Sequence, residues 1–266
     1  RDGSVCPKAE FKDGSVIKIQ GVINSPTIFN SDALYDGVVE WDCPAQTISG
    51  SSALLLPSSS FDYFDSLVIK NTGIAGSVRL ATNPSGYYVK NIVVNGGVLE
   101  FGSPTGSSTY SCRVDNSHQT GGKLIGNAPG VAGFDNAFEQ DTVNVVNFIQ
   151  EGGIFEFSNR TPVNASANAS CILQVSGNLK VGGTFKLSQP ATAPNCALVF
   201  NGSNNQNFEV TGLYINKVKT VLDNTSSLAG VNLLSNVILP DSLVFRQGYI
   251  FLNNFNLTNP LPVQAV

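Results

Sequence analysis

Hydrophobic and polar residues alternate with a period of two through most of the chain, and pairs of glycines interrupt the alternation. Residues 91–101 read NIVVNGGVLEF, and residues 147–157 read NFIQEGGIFEF in the same frame. Short runs of Val, Ile, Phe and Leu bounded by Gly, Asn and Ser are typical of β-strands. No stretch of about 10–15 residues has the period of a helix, so the pattern predicts an all-β protein.

This strand–turn–strand unit recurs along the chain. Residues 116–125 again place an Asn five positions ahead of a Gly pair, and residues 178–187 carry the unit shortened by one residue. The Asn residues that begin the six copies are Asn91, Asn116, Asn147, Asn178, Asn207 and Asn236. They lie 25, 31, 31, 29 and 29 residues apart. A repeat of this length built from short strands indicates a solenoid.

A right-handed parallel β-helix of about 30 residues per coil fits these residues best, because parallel crossovers are right-handed. In this interpretation the Gly pairs form corners, and the repeated Asn side chains stack with their amides hydrogen-bonded along the ladder. The alternation predicts that Ile92, Val94 and Val98 face the core, and that Glu156 faces solvent. The alternative is a β-sandwich of antiparallel hairpins, since Asn-Gly and Gly-Gly are also hairpin signals.

The repeats divide the chain into three parts. Residues 1–60 depart from the pattern and are predicted to form an N-terminal cap or irregular region, with Trp41 in the cap or the core. Residues 61–258 hold the β-helix repeats. Residues 259–266 contain two prolines and are predicted to be a stop or a linker. The chain begins at Arg1 and contains no Met, so we expect that a signal peptide has been removed or that the chain is a segment of a longer protein.

Two stretches resemble a known class of protein. Residues 178–187, NLKVGGTFKL, and residues 242–257, SLVFRQGYIFLNNFNL, resemble repeats in the β-helical regions of large cell-surface adhesins of Bacteroidota. The resemblance implies an exported adhesin or gliding protein delivered by type IX secretion. It also implies candidate O-glycan acceptors at Ser66, Thr142 and Ser242, each of which follows an Asp and precedes an apolar residue.

Composition excludes several classes of function. The chain is 42% hydrophobic and 13% charged, with a net charge of −4. This apolar content excludes a disordered chain, and the sparse Lys and Arg residues exclude a nucleic-acid partner. No apolar run approaches the roughly 18 residues of a membrane span, so no membrane insertion of this segment is expected.

Residues that could carry chemistry are few. Asp135, Glu139 and Asp141 form the densest acidic patch, and paired carboxylates of this kind serve glycan-cleaving enzymes. The only histidine, His118, has no serine-nucleophile motif to work with. With one His and no closely spaced cysteines, neither a metal site nor a cofactor is predicted.

Cysteines and tyrosines supply the remaining candidates. Cys6 and Cys43 are disulfide candidates, each followed by Pro in the irregular N-terminal part. Cys171 and Cys196 would lie on neighbouring coils, either bridged or as buried thiols. The adjacent Tyr87 and Tyr88 are candidates for stacking against sugar rings.

These observations favour a non-enzymatic, extracellular structural or adhesive segment of a larger bacterial cell-surface protein. Its expected partners are surface glycans or other cell-surface proteins. The alternatives are a polysaccharide-acting lyase or hydrolase that uses the acidic patch, and a glycan-binding module.

Overall fold

The computed structural model describes residues 14–19, 35–42, 54–55, 63–70, 77–81, 87–102, 110–125, 140–157, 170–187, 196–239, 241–258 and 263–265. Within these ranges the secondary structure consists of strands and turns, and no helix occurs. The prediction of an all-β protein is therefore confirmed. No helix in these ranges is long and apolar enough to cross a membrane.

The strands follow one another closely along the chain. In chain order they are β1 (Val16–Ile19), β2 (Tyr35–Trp41), β3 (Leu54–Leu55), β4 (Tyr63–Ile69), β5 (Ser77–Ala81), β6 (Tyr87–Val94), β7 (Val98–Gly102), β8 (Tyr110–Gln119), β9 (Lys123–Ile125), β10 (Gln140–Gln150), β11 (Ile154–Phe157), β12 (Ser170–Val175), β13 (Leu179–Val181), β14 (Thr184–Leu187), β15 (Ala197–Phe200), β16 (Gln206–Val210), β17 (Leu213–Asn216), β18 (Lys219–Asp223), β19 (Gly230–Leu233), β20 (Val237–Ile238), β21 (Leu243–Gln247), β22 (Tyr249–Phe251), β23 (Leu257–Thr258) and β24 (Val263–Ala265).

Two long sheets contain nearly all of these strands. The first sheet has 15 strands, and its main path runs β1-β2-β4-β6-β8-β10-β12-β15-β18-β21-β24. The second sheet has seven, in the order β17-β14-β11-β9-β7-β5-β3. Every pairing between described strands is parallel. The antiparallel hairpins that a β-sandwich requires are therefore absent from this part of the chain.

The sheets extend beyond the predicted repeat region at both ends. Strands β1 and β2 lie within residues 1–60 and pair with each other and with β4 in the first sheet. Strand β24 lies within residues 259–266 and pairs with β21. The same parallel pairing thus continues into both predicted terminal parts.

The first sheet divides after β10. The amino-terminal half of β10 pairs with β12, and its carboxy-terminal half pairs with β13. From there the sheet continues as two ladders, one through β15, β18 and β21 and the other through β16, β19 and β22. The loop between the ladders lengthens from three residues after β12 to five after β15 and six after β18, and it shortens to one residue after β21.

The predicted Asn ladder is present. Asn116 Nδ2 donates to Asn91 Oδ1 at 3.0 Å, and Asn147 Nδ2 donates to Asn116 Oδ1 at 3.0 Å. Asn178 Nδ2 donates in turn to Asn147 Oδ1 at 3.2 Å, and the Asn207 backbone N–H donates to Asn178 Oδ1 at 3.0 Å. The spacing of about 30 residues is confirmed for the middle of the chain, where these partners lie 31, 31 and 29 residues apart.

The last predicted member of this ladder is wrong. Asn207 is in register with Asn232, whose Nδ2 donates to Asn207 Oδ1 at 3.3 Å. Asn236 instead accepts the backbone N–H of Asn256 at 2.8 Å. The reason is a shorter connection between sheets, because only two residues separate β17 from β18 whereas nine separate β14 from β15.

The core forms between the sheets mainly from one parity of each strand, but all four residues of β15 are buried, and Ala197 and Val199 pack with Val221 in a separate cluster. Ile92 and Val94 are fully buried as predicted, but in β7 Leu99 is buried whereas Val98 is only half-buried. Gly97, with a φ of 65°, shifts the phase of the alternation between the two strands. Trp41 is fully buried in this core, in agreement with its prediction.

Aromatic side chains fill the centre of the core. The ring centroids of Phe155 and Phe185 lie 4.7 Å apart, and those of Phe148 and Phe155 lie 4.8 Å apart. Tyr214 extends this stack at 5.8 Å from Phe185. Since removing one such ring from a packed core costs about 3–5 kcal/mol, this stack is a main source of stability.

Glycine is required at the corner between the two sheets. Gly153 has a φ of 75°, and a Cβ there would meet the carbonyl oxygens of Gly121 and Gly122 at 2.5 and 2.6 Å. Two buried amides close this corner: Gln119 Nε2 donates to Ile154 O at 2.9 Å, and Gln150 Nε2 donates to Gln119 Oε1 at 3.2 Å. Backbone carbonyls that leave the ladder at the corner are thereby satisfied.

Candidate binding groove

A crease crosses the outward face of the first sheet. In β8, Asp115 and Asn116 are both accessible between the buried Val114 and Ser117. The same break in alternation occurs in β10 at residues 146–147. Two consecutive outward residues bend a strand, and the repetition of this bend in neighbouring strands produces a crease on the surface.

A groove of about 130 Å³ lies in this crease, beside the point where the first sheet divides. Its lining includes the side chains of Arg113, Asn144, Gln174, Ser176 and Asn201. Arg113 is in register with Asn144, and Asn144 is in register with Gln174. Parallel pairing therefore places one guanidinium and two amides side by side, although they come from three separate copies of the repeat.

One wall of the groove is fixed by an aromatic ring and a carboxylate. The Arg113 guanidinium carbon lies 4.8 Å from the centroid of the Tyr88 ring, and Arg113 Nη2 lies 3.2 Å from Asp115 Oδ1. The Tyr88 hydroxyl donates to Asp115 Oδ2. Burial and this hydrogen bond to a carboxylate raise the pKa of Tyr88, so its hydroxyl stays a neutral donor.

The other wall is an amide pair. Asn201 Nδ2 donates to Gln174 Oε1 at 3.1 Å. This bond leaves Gln174 Nε2 with no hydrogen-bond partner among the described residues. Asn144 Nδ2 donates to the backbone carbonyl of Cys112 at 3.4 Å. The groove therefore presents both hydrogen-bond donors and acceptors on side chains that are themselves held in place.

Of the two tyrosines predicted to stack against sugar rings, the structure describes the side chain of Tyr88 only. Tyr88 lies at the edge of the groove, where Arg113 covers one face of its ring. Tyr87 lies on β6 in register with Cys112, and its side chain lies outside the described residues. Tyr88 therefore positions the Arg113 side chain at the edge of the groove.

The predicted acidic patch falls mostly outside the described residues. Asp135 and Glu139 lie outside them, as do Cys6 and Cys43, the disulfide candidates. The backbone of Asp141 lies on β10, in register with Tyr110 and Cys171, but its side chain is not described. The prediction of an active site there stays a prediction.

The three O-glycan candidates lie in the first sheet or beside it. Ser66 Oγ donates to Asp65 Oδ2 at 3.1 Å and accepts from Asn91 Nδ2 at 3.3 Å, so this side chain begins the Asn ladder. Thr142 is half-buried on β10. The Ser242 backbone N–H donates to Asp241 Oδ1 at 2.6 Å.

Histidine and cysteine chemistry is not assembled around the groove. His118 Nε2 lies 3.2 Å from Glu151 Oε2, away from Asp115, which binds Tyr88 and Arg113. Cys112 and Cys196 are buried in the core, where small apolar side chains pack. Within the described part of the chain, no group of three His, Cys, Asp or Glu side chains could hold a metal ion.

Apart from Tyr88, the groove residues were not predicted from the sequence, although the sequence holds a signal for them. Tyr88, Arg113 and Asn144 each stand three positions before an Asn of the ladder, and Gln174 stands four before the next. A column of polar or aromatic residues at one fixed offset from a repeated anchor marks a shared outward position.

Comparison of the chain with protein-family models, with curated proteins and with solved structures gives no match.

Proposed function

We propose that the chain is a right-handed parallel β-helix that serves as a rigid, non-enzymatic structural and adhesive segment of a larger extracellular, cell-surface protein. Successive strands from β6 to β11 alternate between the first and the second sheet, and each pairs in parallel with its counterpart in the next copy. A chain that returns in this way once per repeat forms the coils of a β-helix, and the constant hand of parallel crossovers makes it right-handed.

The observation that carries the structural role is the side-chain ladder of Asn91, Asn116, Asn147 and Asn178. Each amide is hydrogen-bonded to the one before it, at distances of 3.0, 3.0 and 3.2 Å. Such a ladder fixes the register of neighbouring coils, because a slip by one residue breaks every bond in it. A fixed register over many coils favours a stiff element that holds a load or spans a distance.

Paired charges on neighbouring strands support the same role, and they include Glu156, which is buried instead of facing solvent as the alternation predicts. Glu156 lies between Lys123 and Lys186 at 2.7 and 2.8 Å, and Glu40 lies between Lys18 and Lys70 at 3.7 and 2.7 Å. Both carboxylates thus face cations of neighbouring strands instead of like charges. The adhesive role and the extracellular location are supported by the likeness of residues 178–187 to adhesin repeats.

Small-angle scattering combined with a cleavage assay tests this proposal. The 11 strands of the main path, about 4.8 Å apart, predict a rod about 50 Å long. We expect an elongated particle that releases no new reducing ends from a panel of plant, algal and bacterial polysaccharides. A compact particle would contradict the β-helix, and cleavage abolished by Asp141→Asn would replace the structural role with the enzymatic alternative.

A further inference from the structure

We infer that the groove lined by Arg113, Asn144, Gln174, Ser176 and Asn201 binds one neutral sugar residue of a surface glycan. This inference rests on the adhesive role proposed above and gives that role a location. The inferred contact with the sugar is made by planar polar side chains where the first sheet divides, whereas the sequence predicts stacking of the sugar on tyrosine rings.

The chemistry of the lining suits hydroxyl groups. Each sugar hydroxyl both donates and accepts a hydrogen bond, so a complementary surface must offer both kinds of group at close spacing. Gln174 and Asn144 lie opposite each other in register, and their amides supply donors and acceptors on neighbouring strands. Gln174 Nε2 has no hydrogen-bond partner among the described residues, so this donor remains for a ligand.

The charges of the groove favour a neutral ligand. The Arg113 guanidinium is compensated by Asp115, with Nη2 and Oδ1 3.2 Å apart, and the nearby Lys90 is compensated by Asp65 at 2.7 Å. A carboxylate or sulfate on the sugar would have to compete with Asp115 for Arg113. An acidic sugar therefore gains little binding free energy in this groove, because the Asp115 carboxylate repels it.

The lining is fixed before any ligand binds. Arg113 is held between the Tyr88 ring and Asp115, and Gln174 is held by the amide of Asn201. Side chains that are already ordered lose little conformational entropy on binding, so a small number of hydrogen bonds is enough for a specific contact. The volume of about 130 Å³ fits part or all of a single sugar ring rather than an extended chain.

Binding is tested by saturation-transfer NMR and chemical-shift titration of the whole 266-residue chain. The probes are methyl glycosides of glucose, galactose, mannose, fucose and N-acetylglucosamine, with glucuronic acid and galactose 6-sulfate as acidic counterparts. A neutral amide, N-acetylglycinamide, serves as the probe for a peptide ligand. A groove of this size predicts a Kd of about 1 mM for at least one neutral glycoside.

Two variants remove the inferred contact. Gln174→Leu removes the amide, and Gln174→Glu keeps its shape but replaces the donor by a charge. Each is expected to weaken neutral-sugar binding about tenfold or more, the value of a hydrogen bond or two. The matched control is Gln247→Leu, the same change at an exposed amide on β21, and we expect it to leave binding unchanged. Thermal melting shows whether each variant is folded.

The outcomes separate clearly. The inference holds if a neutral glycoside binds and both Gln174 variants weaken it while the control does not. It is overturned if no neutral glycoside binds, if acidic sugars or the amide probe bind more tightly, or if Gln174→Leu leaves binding intact. Any of these results with an elongated, non-cleaving particle leaves the proposed structural role standing, whereas a compact or cleaving particle overturns that role independently of sugar binding.

Discussion

The first sheet contains undivided rows, each a single continuous strand, and divided rows, each made of two shorter strands joined by a loop. The two kinds of row take the chain through the bend of the sheet in different ways. In β6, β8 and β10 the sheet bends within one continuous strand, and neighbouring strands keep the same register on both sides of the bend. In the later rows β15 and β16, and then β18 and β19, loops of five and six residues replace the bend. A longer loop removes backbone groups from the ladder, and those groups then need other partners.

Buried amides supply these partners in the divided rows. Gln206 is fully buried, and its Nε2 donates to the carbonyl oxygens of Val175 and Gly177, both at 2.8 Å. Its Oε1 accepts the Gly202 backbone N–H and Asn224 Nδ2, both at 3.0 Å. Where a loop replaces the bend, the Gln206 side chain therefore makes hydrogen bonds in place of several lost backbone–backbone bonds.

The groove lies where one arrangement changes into the other. Asn144 belongs to the last undivided strand, Gln174 belongs to the first divided row, and Asn201 begins the first long loop. A lengthening loop beside an unchanged bend leaves space at the surface. The groove is thus a consequence of the growing insertion rather than of any single copy.

The largest expected effect is at the divided corner. Gln206→Leu keeps the volume of the side chain but removes all four hydrogen bonds, and the Gly202 N–H and the Gly177 carbonyl lose the partner that Gln206 gives them. We expect a loss of about 4 kcal/mol in the free energy of unfolding, measured by urea denaturation. Gln247→Leu, at an exposed position, is the control. A loss of less than about 1 kcal/mol would show that the loop finds other partners.

The undivided region depends instead on close backbone contact at the Gly corner. Gly153→Ala places a methyl group 2.5 Å from the Gly121 carbonyl oxygen at a φ of 75°, and we expect a loss of about 3 kcal/mol. Gly14→Ala is matched in conformation, with a φ of 83°, but has nothing within 4 Å. It should cost only about 1 kcal/mol. Equal losses by calorimetry in both variants would mean that conformation, not contact, requires glycine.

The undivided region was also the more predictable of the two. The Asn91–Asn147 ladder and the burial of Ile92 follow from alternation and spacing, because each strand carries its own signal. That Asn232 and not Asn236 continues the ladder does not follow from the spacing, because it depends on the two-residue connection between β17 and β18. The groove could not be predicted for a related reason. Its polar residues occupy outward positions, where alternation predicts polar residues in any case, and only the register of the strands brings them together.

An intermediate effect is expected within the Asn ladder. Asn147→Leu breaks the bond to Asn116 Oδ1 and the two bonds that Asn147 Oδ1 accepts from Asn178. We expect a loss of about 2 kcal/mol in urea denaturation. Asn232→Leu removes a single 3.3 Å bond near the end of the ladder and should cost about 0.5 kcal/mol. A larger loss at Asn232 would show that the divided rows, not the undivided ones, set the register.

The smallest effect concerns the charge pairs that link coils of the second sheet. Burial acts to raise the pKa of Glu156, but hydrogen bonds from Lys123 and Lys186 outweigh it and hold the pKa below its usual value. The unfolded chain therefore binds the proton more readily, at a pKa of about 4.3. The stabilisation is complete above that pH and is lost as the pH falls through the lower pKa of the folded chain.

Glu156→Gln tests this contribution with little change in shape. We expect a loss of at most about 1 kcal/mol at pH 7, because both lysines are partly exposed and screened by solvent. The loss should disappear when unfolding is measured in acid, and it should shrink only in part in about 1 M salt because Glu156 is buried. Glu209→Gln is the control, since the Glu209 carboxylate makes no ion pair with any described residue. A loss that persists in acid would mean that Glu156 acts through packing rather than through its charge.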